Sequence, residues 1–295
     1  MATPTVTPTG YYQFAFNSLL FGGVGQGVQV LSVDGLEDMP SLRTQDDSAG
    51  YRDGMVTGRD FLGGRTITFN LQIMSDVNAP MQTYLQALKT NLVEQQYGTN
   101  VMQFWLPNRS LQRVNCRVRK RVVTIDPNYV YGQAFAAVEM FCPDPRIYDD
   151  AALTATFNPA AALGRVYPRV YPMVYNVSTG SVGNVQTLTN NGNVTTYPTF
   201  TVTGPCSNPY IYNQATGQFL SFNVTLGAND VLYADTDSKA VTLSISGGTP
   251  APARNVLVNG SSWFGISPGS TTISFTTGAY TSGSLMTMNY RSAYI

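Results

Sequence analysis

The sequence reads as a mainly β protein of two domains: an N-terminal β-sandwich or split-barrel-like domain with one helix, then a C-terminal jelly-roll β-sandwich. Three observations predict this. The 295 residues exceed the usual size of one domain. The charged residues divide unevenly, with 12 basic and 14 acidic groups in residues 1–150 against 5 and 3 in residues 151–295. Apolar residues recur mostly at every second position, in short runs bounded by Gly, Pro, Asn and Asp.

In the first domain, residues 11–34 alternate around Gly22-Gly23-Val24-Gly25-Gln26-Gly27, which predicts two strands joined by a glycine-rich turn. No helical pattern follows these glycines, and their spacing does not fit a dinucleotide-binding loop. Ile67, Phe69, Leu71 and Ile73 face one way and Thr66, Thr68, Asn70 and Gln72 the other, the pattern of a half-buried strand. Met81, Tyr84, Leu85, Leu88 and Leu92 fall at helical spacing. Asn78 is placed to cap that helix, and Pro80 is tolerated in its first turn. Strands are expected at Val101–Leu106, Val114–Ile125 and Tyr131–Phe141, and Pro143 and Pro145 end the last ladder near residue 150. In Val114–Ile125, Arg117, Arg119 and Arg121 are assigned to one face, with Cys116, Val118 and Val122 on the other.

Residues 151–184 read as a connecting arm. Arg165-Val166-Tyr167-Pro168, Arg169-Val170-Tyr171-Pro172 and Met173-Val174-Tyr175 repeat every four residues, and proline at that spacing forbids a helix. Residues 185–295 form the sandwich, with strands at Phe200–Val202, Tyr210–Tyr212, Val231–Ala234, Val241–Ile245, Thr272–Phe275 and Leu285–Tyr290.

Catalysis lacks its usual parts. There is no histidine, which removes the common nucleophile triads and the commonest metal ligand. The three glutamates, Glu37, Glu94 and Glu139, all lie in the first domain. No catalytic residue, metal or cofactor is assigned. Cys116, Cys142 and Cys206 are odd in number without Cys-x-x-Cys spacing, so they read as buried small apolar residues. Asp235-Thr236-Asp237-Ser238 fits a turn better than a calcium loop. The start has no signal peptide pattern and no run spans a membrane, so a soluble, non-secreted protein is expected. With 17 basic and 17 acidic residues the net charge is zero, which gives nucleic acid no general attraction. Two surfaces remain as candidates: the Arg117, Arg119, Arg121 face for an interface or a polyanion, and Trp263 for stacking a sugar ring.

The order of short motifs resembles the distal tail proteins of siphophages. These are the Gly-Arg-Thr-Ile strand at 64–67, Pro143-Asp144-Pro145-Arg146-Ile147-Tyr148, the Tyr-Pro repeat, Asn190-Asn191-Gly192-Asn193, Tyr197-Pro198-Thr199, Gly204-Pro205, Asn208-Pro209-Tyr210-Ile211, Thr216-Gly217, Ser261-Ser262-Trp263-Phe264, Pro268-Gly269 and Tyr290-Arg291. The Arg-Val-Tyr-Pro repeat resembles versions in phages of actinobacteria. The resemblance implies a galectin-like jelly roll at 185–295 and a ring-forming hub domain at 1–150. It also implies a hexamer that joins the tail tube to the tail tip or baseplate, with DNA only passing through its channel. Arg117, Arg119 and Arg121 would then face a neighbouring subunit or the lumen. A host-surface glycan is the further partner implied if the sandwich serves adhesion. The site would be the distal end of the virion tail, after synthesis in the host cytoplasm.

Overall fold

The computed structural model describes residues 2–76, 78–159, 184–278 and 283–295. It divides into two compact units: Met1–Ala151 with Tyr294–Ile295, and Ala152–Ala293. The Tyr-Pro repeat at 165–175 lies outside the described residues.

The first unit is built on one antiparallel sheet. Its first strands are β1 (Gln13–Phe16), β2 (Leu19–Gly22) and β3 (Val28–Asp34). The alternation around the glycines predicts two strands here. The third arises because Asn17 adopts φ 55° and reverses the chain in two residues, a conformation asparagine tolerates better than most. That turn is anchored: Asn17 Nδ2 donates to Asn91 O at 2.7 Å, and Ser18 Oγ donates to Asn91 Oδ1 at 2.6 Å. The glycine-rich segment then joins β2 to β3. At Gly27 the ring of Tyr84 lies where a Cβ would stand, so only glycine fits.

Four two-residue strands follow, β4 (Leu42–Arg43), β5 (Asp47–Ser48), β6 (Met55–Val56) and β7 (Phe61–Leu62), paired β4 with β7 and β5 with β6. The long strands come next: β8 (Arg65–Met74), then helix α1 (Met81–Asn91), β9 (Asn100–Trp105), β10 (Gln112–Thr124), β11 (Gln133–Cys142) and the short β12 (Ile147–Asp149). The sheet order is β2-β1-β9-β10-β11-β8-β3, with β12 on β10.

As expected, Ile67, Phe69, Leu71 and Ile73 are all buried. The sheet curls over on itself. Phe14 of β1 and Phe21 of β2 meet Phe69 of β8 with ring centroids 5.1 and 5.4 Å apart, although β8 lies four places from β1 in the sheet order. The two halves of one sheet thus enclose an aromatic centre, and Met81, Leu85, Leu88 and Leu92 of the helical segment close onto the same core. The helix starts differently from the expectation. The cap position is Pro80, and Ser75 Oγ rather than the Asn78 side chain accepts from Met81 N at 3.1 Å. Asn78 is instead held by Asp76, whose carboxylate accepts from the backbone N–H groups of Asn78 and Ala79 and from the Tyr84 hydroxyl. Those bonds, with the Ala79 amide first, keep the Asp76 carboxyl below its ordinary pKa.

The motif that ends the unit is a clamp. Arg65 is 3% exposed, and it donates through Nε to Pro145 O at 3.0 Å and through Nη1 to Gly35 O at 3.0 Å and Asp38 O at 2.8 Å. Tyr148 donates to Asp144 at 2.6 Å and accepts from Arg146 at 3.2 Å. Pro145 therefore sits where its carbonyl turns to a buried guanidinium rather than continuing a ladder. Tyr294 packs against this unit's core and approaches Asp149 at 3.2 Å through its hydroxyl.

The second unit is a sandwich of two antiparallel sheets. Its strands are β13 (Leu153–Phe157), β14 (Val185–Asn190), β15 (Thr199–Thr203), β16 (Cys206–Ser207), β17 (Tyr210–Asn213), β18 (Phe219–Ser221), β19 (Thr225–Leu226), β20 (Val231–Asp235), β21 (Ala240–Ser244), β22 (Ala251–Pro252), β23 (Gly269–Thr276) and β24 (Leu285–Tyr290). One sheet runs β13-β24-β15-β20-β21-β22 and the other β14-β23-β17-β18. Chain order crosses between the sheets at β13 to β14, β14 to β15, β15 to β17, β18 to β20, β22 to β23 and β23 to β24, which is jelly-roll connectivity. Leu153–Phe157, assigned to the connecting arm by sequence, is an edge strand of the larger sheet. Phe157, Phe200, Phe264, Phe275, Met286 and Met288 form the core between the sheets.

The Asn190-Asn191-Gly192-Asn193 segment has a physical role here. Asn190 is 1% exposed. Its amide donates to Val194 O and Ile266 O, and its oxygen accepts from Gly192 N and Ala293 N. A buried amide with every group satisfied holds the loop. Asp235 accepts from Asp237 N at 2.9 Å and Ser238 Oγ at 2.7 Å, a side-chain-closed turn. The three cysteines are free and buried. The Cys142 thiol beside it, and then burial, push the Cys116 thiol well above its ordinary pKa.

Because Phe69 joins both halves of the curled sheet, Phe69→Ala should destabilise the first unit by about 3–5 kcal/mol. Urea denaturation followed by circular dichroism measures this, and a cost below about 1 kcal/mol would show that the aromatic centre does not hold the halves together.

Candidate interaction surfaces

Strand β10 carries the arginine row, and the structure corrects its geometry. The β10–β11 register slips between Val118 and Lys120, so one extra residue reverses the alternation. Cys116 and Val118 are buried as expected, but Val122 is 42% exposed and Val123 packs on the core instead. Arg117 and Arg119 stay together, with their guanidinium carbons 5.8 and 4.8 Å from the centre of the Phe141 ring. Arg121 parts from them. Its Nη1 donates to Lys89 O at 2.8 Å and Leu92 O at 2.9 Å, carbonyls at the C-terminal end of α1 that lack helical partners. A cation there also meets the negative end of the helix dipole. The single arginine face is therefore a pair, Arg117 with Arg119, and a separate helix cap.

A second surface was not singled out from the sequence. Residues 41–62 form a two-stranded ribbon, Leu42 opposite Leu62 and Asp47 opposite Val56. None of its side chains belongs to the buried core. Its apolar side chains face solvent, with Tyr51 85% and Met55 62% exposed. Arg43 and Arg59 sit 5.8 and 5.2 Å from the Phe61 ring, so the ribbon's order comes from its own pairs. The available signal was a cluster of four aspartates and three arginines around Leu42, Met55, Val56 and Phe61, a mixture that suits neither a core strand nor a disordered tail.

Trp263 is half-buried and packs against the core of the second unit. Its neighbour Ser262 N donates to Phe219 O at 2.8 Å, and Val258 N to Ser221 O at 2.9 Å, which seats this segment beside β18. Among the described residues there is no group of three or more metal-ligating side chains, and no helix is long and apolar enough to cross a membrane.

These surfaces belong to a fold seen in phage tails. Residues 191–294 match the family described as the siphovirus-type tail component, C-terminal domain. The chain is similar in fold to the Dit protein of phage SPP1, described as a paradigm of the hub of the adsorption apparatus in phages infecting Gram-positive bacteria. The TM-score is 0.62 at 14% identity, over 91% of this chain and 94% of that one. A chain of the phage P2 baseplate in its activated, calcium-containing conformation matches at TM-score 0.51 and 10% identity, over 95% of this chain and 97% of that one. No curated protein matches in sequence. The likeness is to a tail component of siphovirus type, by family match over residues 191–294 and by fold over most of the chain. Among such components, the protein it is similar to in both respects is a siphophage distal tail protein.

Removal of the Arg121 cap should cost about 1–2 kcal/mol, since charged hydrogen bonds to helix-end carbonyls are lost. Arg119→Ala, at an exposed position, should change stability by less than about 0.5 kcal/mol. Thermal melts of Arg121→Ala and Arg119→Ala test the division of the row, and equal effects would contradict it.

Proposed function

We propose that this chain is the structural, non-enzymatic hub at the distal end of a siphophage tail. Six copies close a ring through the first unit. The ring continues the tail tube on one side and carries the tip or baseplate proteins on the other, while the second unit supplies a galectin-like domain. The observation that carries this reading is the ribbon at 41–62. A monomer gains nothing by exposing Leu42, Tyr51, Met55 and Val56 together, whereas a ring subunit that offers its ribbon to the next copy buries them. Such a contact is heterologous, and it closes when its rotation divides the circle. The ribbon's arginines and aspartates then pair across the contact and set its register.

Arg117 and Arg119 are proposed to face either a neighbouring subunit or the lumen. With equal numbers of basic and acidic residues, the chain lets DNA pass without retaining it. Synthesis in the host cytoplasm fits the three free cysteines. The second reading, adhesion to a host-surface glycan through Trp263, has less support, because that ring packs on the core it would have to leave.

At high concentration the wild-type protein should form particles at six times its 32.0 kDa subunit mass, with six-fold symmetry in negative-stain images. The triple variant Leu42→Ser, Met55→Ser, Val56→Ser should remain monomeric with an unchanged circular dichroism spectrum. Rings that persist in the variant would remove the ribbon from the interface, and wild-type rings of another order would overturn the hexamer.

A further inference from the structure

The smaller sheet of the jelly roll has a composition that nothing in the hub role requires. None of its four strands, β14, β23, β17 and β18, contains a charged residue. Their inward side chains are core residues such as Leu188, Ile211, Leu220, Ile273 and Phe275. Their outward positions are Thr and Ser hydroxyls beside Val185 at the β14–β23 side and aromatic rings at the β17–β18 side. Thr187 and Thr272 stand opposite each other with hydroxyls 3.3 Å apart. Tyr212 stands opposite Phe219 on one side and Ser274 on the other. The Tyr210 ring lies 5.3 Å from Phe219 and 6.3 Å from Tyr212, with planes inclined by only 25° and 18°.

We infer that this outward face binds a neutral glycan, with Tyr210, Tyr212 and Phe219 as the stacking platform and the Thr/Ser rows as hydrogen-bonding partners. Tyr210 and Tyr212 of β17 and Phe219 of β18, each part-exposed, form one aromatic cluster beside the hydroxyl rows. Each tyrosine adds a hydroxyl at its tip, so an apolar surface and polar contacts come from the same side chain. A few converging polar groups around aromatic walls are the usual make-up of a small-ligand site. The uncharged strands set the ligand class. An acidic glycan would find no basic partner for its carboxylates on this sheet, whereas a neutral one loses nothing. Interfaces between proteins also favour Tyr and Phe, and signal on a glycan array, which a protein-docking face would lack, separates the two occupants.

This reading does not depend on the ring, and it places glycan contact elsewhere than Trp263. The test is an array printed with neutral and acidic oligosaccharides, probed with the full-length protein, with Tyr210→Ala/Tyr212→Ala and with Trp263→Phe. The expected result is wild-type signal on neutral glycans alone, reduced on the order of tenfold or more in the double tyrosine variant and retained in Trp263→Phe. Circular dichroism and the ring assembly seen by electron microscopy should be the same for all three proteins. An array without neutral signal, signal confined to acidic glycans, or signal that survives the tyrosine substitutions would overturn the inference. Loss in Trp263→Phe with retention in the double variant would return the site to the tryptophan. If the double variant unfolds, Tyr212→Phe, which keeps the ring and removes one hydroxyl, should still weaken binding, and an unchanged signal would count against the site.

Discussion

One strand with two duties organises the first unit. The N-terminal half of β10 pairs with β9, and its C-terminal half with β11. A straight strand would keep one face to the core throughout and could not follow a sheet that curls over the Phe14, Phe21, Phe69 centre. The extra residue between Val118 and Lys120 resolves this by twisting the strand and reversing its alternation. Much follows from that slip. Val123 replaces Val122 at the core, Arg121 turns to the end of α1, and the helix gains a cap that its own sequence lacks. Helix, bulge and curled sheet therefore support one another.

The two units solve the problem of buried polarity in similar ways. The first buries a guanidinium, Arg65, and answers it with carbonyls from the 35–38 turn and from Pro145. The second buries the Asn190 amide and answers it with backbone groups from four residues. In both cases a single side chain collects segments distant in sequence, so the motifs around them are not interchangeable with other polar residues. The short motifs that carried the family resemblance include these positions, which gives that likeness a physical basis in loops that must converge on one side chain.

Much of the fold was legible because its signals are local. The alternation of Ile67 through Ile73 and the helical spacing of Met81 through Leu92 depend only on neighbouring residues, and both appear as expected. What the sequence concealed depends on distant partners. The Asn17 turn is stabilised by Asn91, the start of α1 by Ser75, and the phase of β10 by a bulge that no residue type marks. The candidate surfaces divide in the same way. The arginine row was visible as a pattern but misjudged as a single face. The exposed ribbon was missed because exposure is a property of the folded chain, and the charged residues scattered through 41–62 break the apolar alternation by which the other strands were read.

Tyr294 belongs to the first unit, and all of the second unit intervenes between it and β12. The first unit is therefore discontinuous in the order of synthesis. A ribosome releases the strands of its sheet early, yet the tyrosine that packs on its core emerges about 140 residues later, after the jelly roll has been made. At a few to about twenty residues per second, the early sheet spends several seconds or more without that piece. The first unit thus completes its core only after the second has been synthesised, which ties the packing of one to the translation of the other.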